Sequence, residues 1–167
     1  MRIKWLFALT VGSALGCGLI AGIFYAFSTF VMKALAQLAP PAGIAAMQSI
    51  NIVVINPWFL GVFFGTTVSC FGLIACSAPA WRTPRAACLI SGGLIYLCGT
   101  VLVTIYGNVP WNDALSAVDP ASSSGARLWA DYLVVWTNWN HVRGAAALVA
   151  ATVLTLALCL PFADEAR

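Results

Sequence analysis

The chain is 167 residues long, 62% hydrophobic and only 8% charged, with a formal net charge of +3. Soluble domains run at about 45–50% apolar and about 25% charged, so a water-soluble globular fold is excluded and an integral membrane protein is expected. The few basic residues sit at the flanks of apolar stretches, which leaves no footprint for nucleic acid.

The first membrane span is expected over residues 6–32. Arg2 and Lys4 followed by apolar residues resemble a signal peptide, and Ala14-Leu15-Gly16-Cys17 resembles a lipoprotein cleavage site. Hydrophobicity continues past Cys17 through Phe30, however, so a retained span is the better reading. Gly12 and Gly16, and Gly18 and Gly22, have the small-xxx-small spacing that lets helices approach closely. Toward its end, Phe24, Phe27, Ser28 and Val31 form a helical stripe.

Pro40-Pro41 breaks the chain, and residues 42–54 read as a short helix with Ile44, Met47 and Gln48 at helical spacing and Asn51 one turn on. This helix is expected to lie along the membrane surface. Asn56-Pro57-Trp58 then supplies an N-cap, a first-turn proline and an interfacial tryptophan for a second span over 58–78. Pro79 and Pro84 separate it from a third span over 86–106, and Pro110 and Pro120 separate that from a fourth over 140–160. The linker over 107–131 carries Asp113, Asp119, Ser122-Ser123-Ser124-Gly125 and Arg127, a flexible tip that leads into another helix.

Continuous apolar runs exclude a barrel, whose strands alternate. The expected fold is therefore all-α: a single-domain integral membrane four-helix bundle, with a short interfacial helix between spans 1 and 2 and an extended last helix. Arg2, Lys4, Arg82 and Arg85 assign both termini to the cytoplasm, in what is expected to be a bacterial inner membrane. The tail Asp164-Glu165-Ala166-Arg167 reads as a solvated end. Oligomeric state stays open.

Six cysteines lie within or at the ends of spans without a Cys-x-x-Cys pair, so they read as small hydrophobes and not as a thiol redox centre. One histidine and five scattered carboxylates supply no conventional metal site.

The chemistry concentrates in Trp136-Thr137-Asn138-Trp139-Asn140-His141-Val142-Arg143. A guanidinium in a membrane span is costly, so it needs a partner or a purpose. At ~100° per residue, Trp129, Tyr132, Trp136, Trp139, Asn140 and Arg143 share one arc of about 100°, continued by Ala147. His141 lies about 100° from Asn140, off that stripe. Asn108 and Asn112 at the end of span 3, and Asn51 and Asn56 before span 2, fall at the same expected membrane face. Together they predict an aromatic-walled cavity open to the outer leaflet, with convergent amides and one guanidinium. Trp58, Trp81 and Trp111 taken singly are ordinary interfacial anchors.

Four motifs carry a resemblance: Phe24-Tyr25-Ala26-Phe27-Ser28-Thr29-Phe30-Val31-Met32, Asn56-Pro57-Trp58-Phe59, Asn108-Val109-Pro110-Trp111-Asn112-Asp113-Ala114-Leu115 and the run from Trp136 to Arg143. In this order and spacing the chain resembles the anthrone oxygenase-like family of small four-span membrane proteins, over about residues 14–158. Lys33 stands where many relatives have proline after the Val-Met pair. The resemblance implies an oxygenase of flat phenolic tricycles with no evident cofactor. An anthrone has an acidic methylene whose carbanion reduces dioxygen, so the protein need supply only a base, an oxyanion stabiliser and a dry pocket. On that reading Arg143, Asn140 and Asn108 hold the developing enolate oxygen. Trp136 and Trp139 stack on the rings, with Tyr132, Asn112 and Phe27 completing the substrate surface. His141 has the suitable pKa range for the base; Asp113 or a water held by Asn112 are the alternatives. A different class also fits: a non-catalytic membrane protein binding a lipid, quinone or apolar ligand, or an assembly partner, with Arg143 paired to a head group, Asp131 or Asp113.

Overall fold

A computed structural model describes residues 2–160 of the chain, and their side chains from residue 4. The tail over 164–167 lies outside the described residues. Helix is the only regular structure among the described residues: α1 (Arg2–Ala26), a π-helical segment π1 (Phe27–Val31), α2 (Met32–Ala36), α3 (Pro40–Val53), α4 (Pro57–Ser77), a short 3-10 segment (Ala78–Ala80), α5 (Pro84–Tyr96), π2 (Leu97–Leu102), π3 (Thr104–Asn108), α6 (Val109–Ser116) and α7 (Ser123–Leu158). Joined across the π and 3-10 segments where these occur, four runs are long and apolar enough to cross a membrane: Lys4–Ala36, Pro57–Ala80, Pro84–Ser116 and Ser123–Leu158. The all-α four-helix membrane bundle follows.

Local chemistry sets the starts. Asn56 Oδ1 accepts from the backbone N–H groups of Trp58 and Phe59, both at 3.0 Å, and Pro57 fills the first helical position of α4. Thr83 and Ser122 cap α5 and α7 in the same way, through Ala86 N and Gly125 N. One boundary differs from expectation. Pro110, expected to help separate spans 3 and 4, lies inside the continuous run Pro84–Ser116. It falls in the first turn of α6, straight after π3, where a changed hydrogen-bond register leaves its missing N–H without consequence. The last helix begins at Ser123, so the extension expected before residue 140 is a continuous part of it.

The four runs pack as a closed ring, α1 against α4 and α7, and α5 against α4 and α7. Small residues make the contacts, as membrane helix packing favours. Gly16 rests against Thr66, Ser13 Oγ donates to Ser69 Oγ at 2.8 Å, and Gly93 faces Ile74 and the Cys70 carbonyl. Gly92 meets Leu154, and a Cβ on Gly99 would lie 2.5 Å from the Ala146 Cβ. Gly99→Val is therefore expected to overpack the π2–α7 seam and destabilise the fold by about 1–3 kcal/mol, read as a lowered unfolding midpoint in detergent.

The interior divides into two hydrophobic clusters. One fills the ring, with Cys17, Ile20, Phe24, Phe63, Cys70, Leu73, Leu89, Tyr96, Ala147 and Leu154 among its members. The other lies at the end where α2, α3 and α6 close over the first half of α7, around Met32, Leu35, Ile44, Met47, Leu115, Trp129, Tyr132 and Trp136. The short helix between the first two runs thus packs its Gly43, Ile44 and Met47 face inward. Between the clusters sits a band of polar side chains.

Candidate functional site

Arg143 lies a little past the middle of α7, at the junction of the two clusters, and is 7% exposed. Depth follows from cross-helix pairs. Tyr96 Oη donates to the Phe63 carbonyl and Thr100 Oγ1 donates to the Arg143 carbonyl at 3.1 Å. Phe63 is six residues, ~9 Å, from the start of α4, and Thr100 is four residues, ~6 Å, beyond Tyr96 in the same direction. Arg143 therefore lies within about one turn of the end of the shortest span, where burying a charge costs less than at mid-bilayer.

No carboxylate among the described residues pairs with it. Asn140 Oδ1 accepts from Arg143 Nε at 3.0 Å and from Nη2 at 2.9 Å, a bidentate fit of a planar guanidinium to one amide oxygen. Nη1 donates to Thr104 Oγ1 at 3.3 Å. The guanidinium carbon lies 3.9 Å from the centroid of the Phe24 ring and 5.0 Å from that of Trp136, so two aromatic quadrupoles supply the rest of its stabilisation. Asn140 is itself anchored, since its Nδ2 donates to the Phe24 carbonyl at 2.7 Å and to Ser28 Oγ at 2.8 Å. Asp113 and Asp131, considered as ion-pair partners on sequence grounds, are both exposed and neither bonds to the arginine.

All three π segments converge on this band. Ser28 lies in π1, Thr100 in π2, and Thr104 and Asn108 in π3. Each π turn leaves the ordinary ladder, and such bulges recur at functional sites. Asn108 Nδ2 donates to the Trp136 carbonyl at 3.0 Å, while its Oδ1 is buried without a partner among the described residues.

Trp129, Tyr132 and Trp136 stack in sequence at 5.5 and 5.6 Å between centroids, with interplanar angles of 19° and 16°. Phe27 tilts against Trp136 at 5.8 Å. Asn112 Oδ1 accepts from both Tyr132 Oη at 2.8 Å and Trp136 Nε1 at 2.7 Å, which fixes the polar ends of the stack. The aromatic stripe expected from helix angles is present, but it does not wall an open cavity. Trp129, Tyr132 and Trp136 are 0–3% exposed because Met32, Leu35, Ile44, Met47 and Leu115 fill the space before them. Trp139 departs from the stripe: it is 41% exposed and covers Gly107, where a Cβ would meet its ring at 2.8 Å. It sat at the edge of the predicted arc, and the helix turns it outward over π3.

His141 lies off the stripe, as its angle required, yet it lines a groove of about 460 Å³ between α1 and α7. Gly18, Gly22, Tyr25, Ser28, Thr29 and Gly144 line it too. Ser28 is thus common to the groove and to the Asn140–Arg143 network. Asn51, Asn112 and Asp113 line a separate groove between α3 and α6. Thr100 and Thr104 were missed by sequence reasoning. Their signal was a polar ladder, Thr100, Thr104, Asn108 and Asn112, repeating every four residues along one apolar span.

No curated protein and no solved structure matches the chain. A family model described as anthrone oxygenase matches residues 54–153. That stretch covers more than half of the chain and holds Thr100, Thr104, Asn108, Asn112, Trp136, Asn140, His141 and Arg143. The chain belongs to the anthrone oxygenase family.

Proposed function

We propose that the protein is a membrane oxygenase of anthrone-like phenolic substrates, acting in the groove between α1 and α7. The observation that carries this reading is the buried Arg143 guanidinium, held by neutral acceptors and aromatic faces with no counter-charge among the described residues. Such a charge in a low-dielectric setting favours a developing enolate oxygen nearby. The hydrogen-bonded path from Arg143 through Asn140 to Ser28 carries that polarity to the groove wall. Gly18, Gly22 and Gly144 offer a floor without side chains for a flat ring system, and Tyr25, 66% exposed, offers a face beside it. With the orientation that the basic flanks favour, the groove opens in the outer half of the bilayer.

His141 is the base in this proposal. It removes a proton from the substrate methylene, and the electron pair delocalises onto the ring oxygen. The carbanion carbon then bonds to dioxygen, and the peroxide formed takes the proton back. Loss of the second methylene proton breaks the O–O bond, releasing water and leaving a carbonyl, so one dioxygen gives one quinone and one water. Asn108 contributes by fixing the backbone of α7 at Trp136, one turn before Asn140.

The test is dioxygen uptake by the purified protein on addition of an anthrone. Uptake stoichiometric with quinone is expected, with His141→Gln slowed about 10²–10⁴-fold, the range for a lost general base. Uptake no faster than in protein-free detergent would end the oxygenase reading. Saturable anthrone binding without uptake would favour a non-catalytic binding protein.

A further inference from the structure

The groove between α3 and α6 is separate from the one assigned above and has a volume of about 570 Å³. Gln48, Asn51, Asn112, Asp113 and Ser116 line it, with Ile52, Ile55 and Val109 at its apolar side. Polar side chains gathered over apolar ones are what a small amphiphile needs. The direction of each amide decides which chemistry is offered. Gln48 Nε2 is committed inward, donating to the Leu115 carbonyl at 2.8 Å and the Val118 carbonyl at 3.1 Å, so its Oε1 is the end left for the groove. Asn51 Nδ2 is buried beside the Tyr132 hydroxyl, so its Oδ1 is likewise the end left outward. Asn112 Oδ1 is occupied by Tyr132 and Trp136, which leaves its Nδ2 as the groove's amide donor. Ser116 donates back to the Asp113 carbonyl at 2.7 Å.

The lining is thus rich in acceptors, with two amide oxygens and the Asp113 carboxylate, and holds no lysine or arginine. An anionic head group would meet like charge there and no cation. A head group that donates hydrogen bonds and carries no negative charge meets the two amide oxygens and the carboxylate, and a polyol can accept from Asn112 Nδ2 as well. The position suits an amphiphile, because Ile52, Val53, Ile55 and Trp58 beside it are 73%, 67%, 69% and 86% exposed, a run of apolar side chains next to the start of α4.

We propose that this groove is a second binding site, for an amphiphile with a hydrogen-bond-donating, non-anionic head: a protonated primary amine or a polyol on an apolar body. Asp113 is the residue that discriminates by charge. Asn112 couples occupancy to the Trp136 indole, because the same side chain lines the groove and holds the indole N–H.

The experiment titrates full-length protein in a neutral amphipol with dodecylamine, octyl glucoside and dodecyl phosphate, following the Trp136 indole N–H by NMR. Saturable shifts with the amine or the glucoside, and none with the phosphate, are expected. A response to the amine alone identifies an ammonium site, and a response to the glucoside a polyol site. In Asp113→Asn, amine affinity should fall about three- to fivefold, the scale of an exposed ion pair, with glucoside binding unchanged. In Asp113→Lys the preference should invert, so that the phosphate binds and the amine does not. Asp113 is exposed, so neither change threatens the fold. Equal response to all three probes, preference for the phosphate by the unaltered protein, or the same selectivity in Asp113→Lys would overturn the proposal. Because Arg143 and His141 lie outside this groove, the binding should persist in Arg143→Met whether or not the oxygenase reading survives.

Discussion

Asn140→Leu is expected to destabilise the bundle by about 3–5 kcal/mol, the combined cost of leaving a buried guanidinium and two further polar groups short of hydrogen bonds. The amide does three things at once: its oxygen takes two guanidinium N–H groups, and its nitrogen satisfies the Phe24 carbonyl and Ser28. A leucine fills similar space but leaves Arg143 with a single hydrogen bond, to Thr104, and two ring faces. Arg143→Met alone should cost much less, because removing the charge also removes the need to solvate it, and methionine adapts to the gap. The double variant should then be more stable than Asn140→Leu. A double-mutant cycle of unfolding midpoints in detergent reads this as a coupling of opposite sign to additivity. If the two substitutions simply add, the amide does not exist to hold the guanidinium. If Arg143→Met unfolds the protein, the arginine is structural in its own right. The cycle also separates stability from chemistry, since Arg143→Met should fold and yet lose dioxygen uptake.

The elements legible in the sequence were those written in short-range chemistry. Four apolar runs and the Asn56-Pro57 cap need only local rules, and all stand in the structure. The last-helix stripe was legible too, because a straight helix turns at a constant angle: Trp129, Tyr132, Trp136, Asn140 and Arg143 are all buried. What failed depended on other elements. Pro110 looked like a stop because a proline ends an α-helical ladder, and only the π3 register before it removes that conflict. The stripe looked like a cavity wall because one helix cannot reveal what covers it, and α2, α3 and α6 do. Thr100 and Thr104 lie about 40° apart in ordinary helical arithmetic, but one helix cannot reveal that this face meets Arg143. Their hydrogen bonds to the Arg143 carbonyl and guanidinium show that it does. Ser28, which ordinary spacing already puts on the Phe24 stripe, meets Asn140 from the start of π1. The site was therefore half written in α7, whose stripe one helix carries by itself, and half hidden in which faces of the other helices meet it.

Gly22→Leu is expected to suppress anthrone turnover at least about tenfold with little loss of stability, and the reason is geometric. A Cβ on Gly18 or Gly22 meets nothing within 4 Å, so a larger side chain grows into open space, and the space it enters is the groove that Ser28 and His141 line. Surface substitutions of this kind change stability by roughly 0.5 kcal/mol or less, and leucine in place of glycine favours the helix. Gly144, in the same groove, is a poorer choice because a Cβ there would lie 3.2 Å from the Phe24 Cβ and strain the α1–α7 contact. Gly61→Leu is the matched control. It too has open space around it, but it lines a different groove between α1 and α4, beside Gly12 and Gly65. Turnover should survive Gly61→Leu and fail in Gly22→Leu, with both proteins melting near the unaltered one. Since the leucine competes for volume, the loss should appear first as a raised KM for a bulky tricycle and less for a smaller phenolic ring. Equal turnover in the two variants would move the reaction out of the α1–α7 groove. Because Ser28 ties that groove to Asn140, it would also leave the buried guanidinium without a route to a substrate.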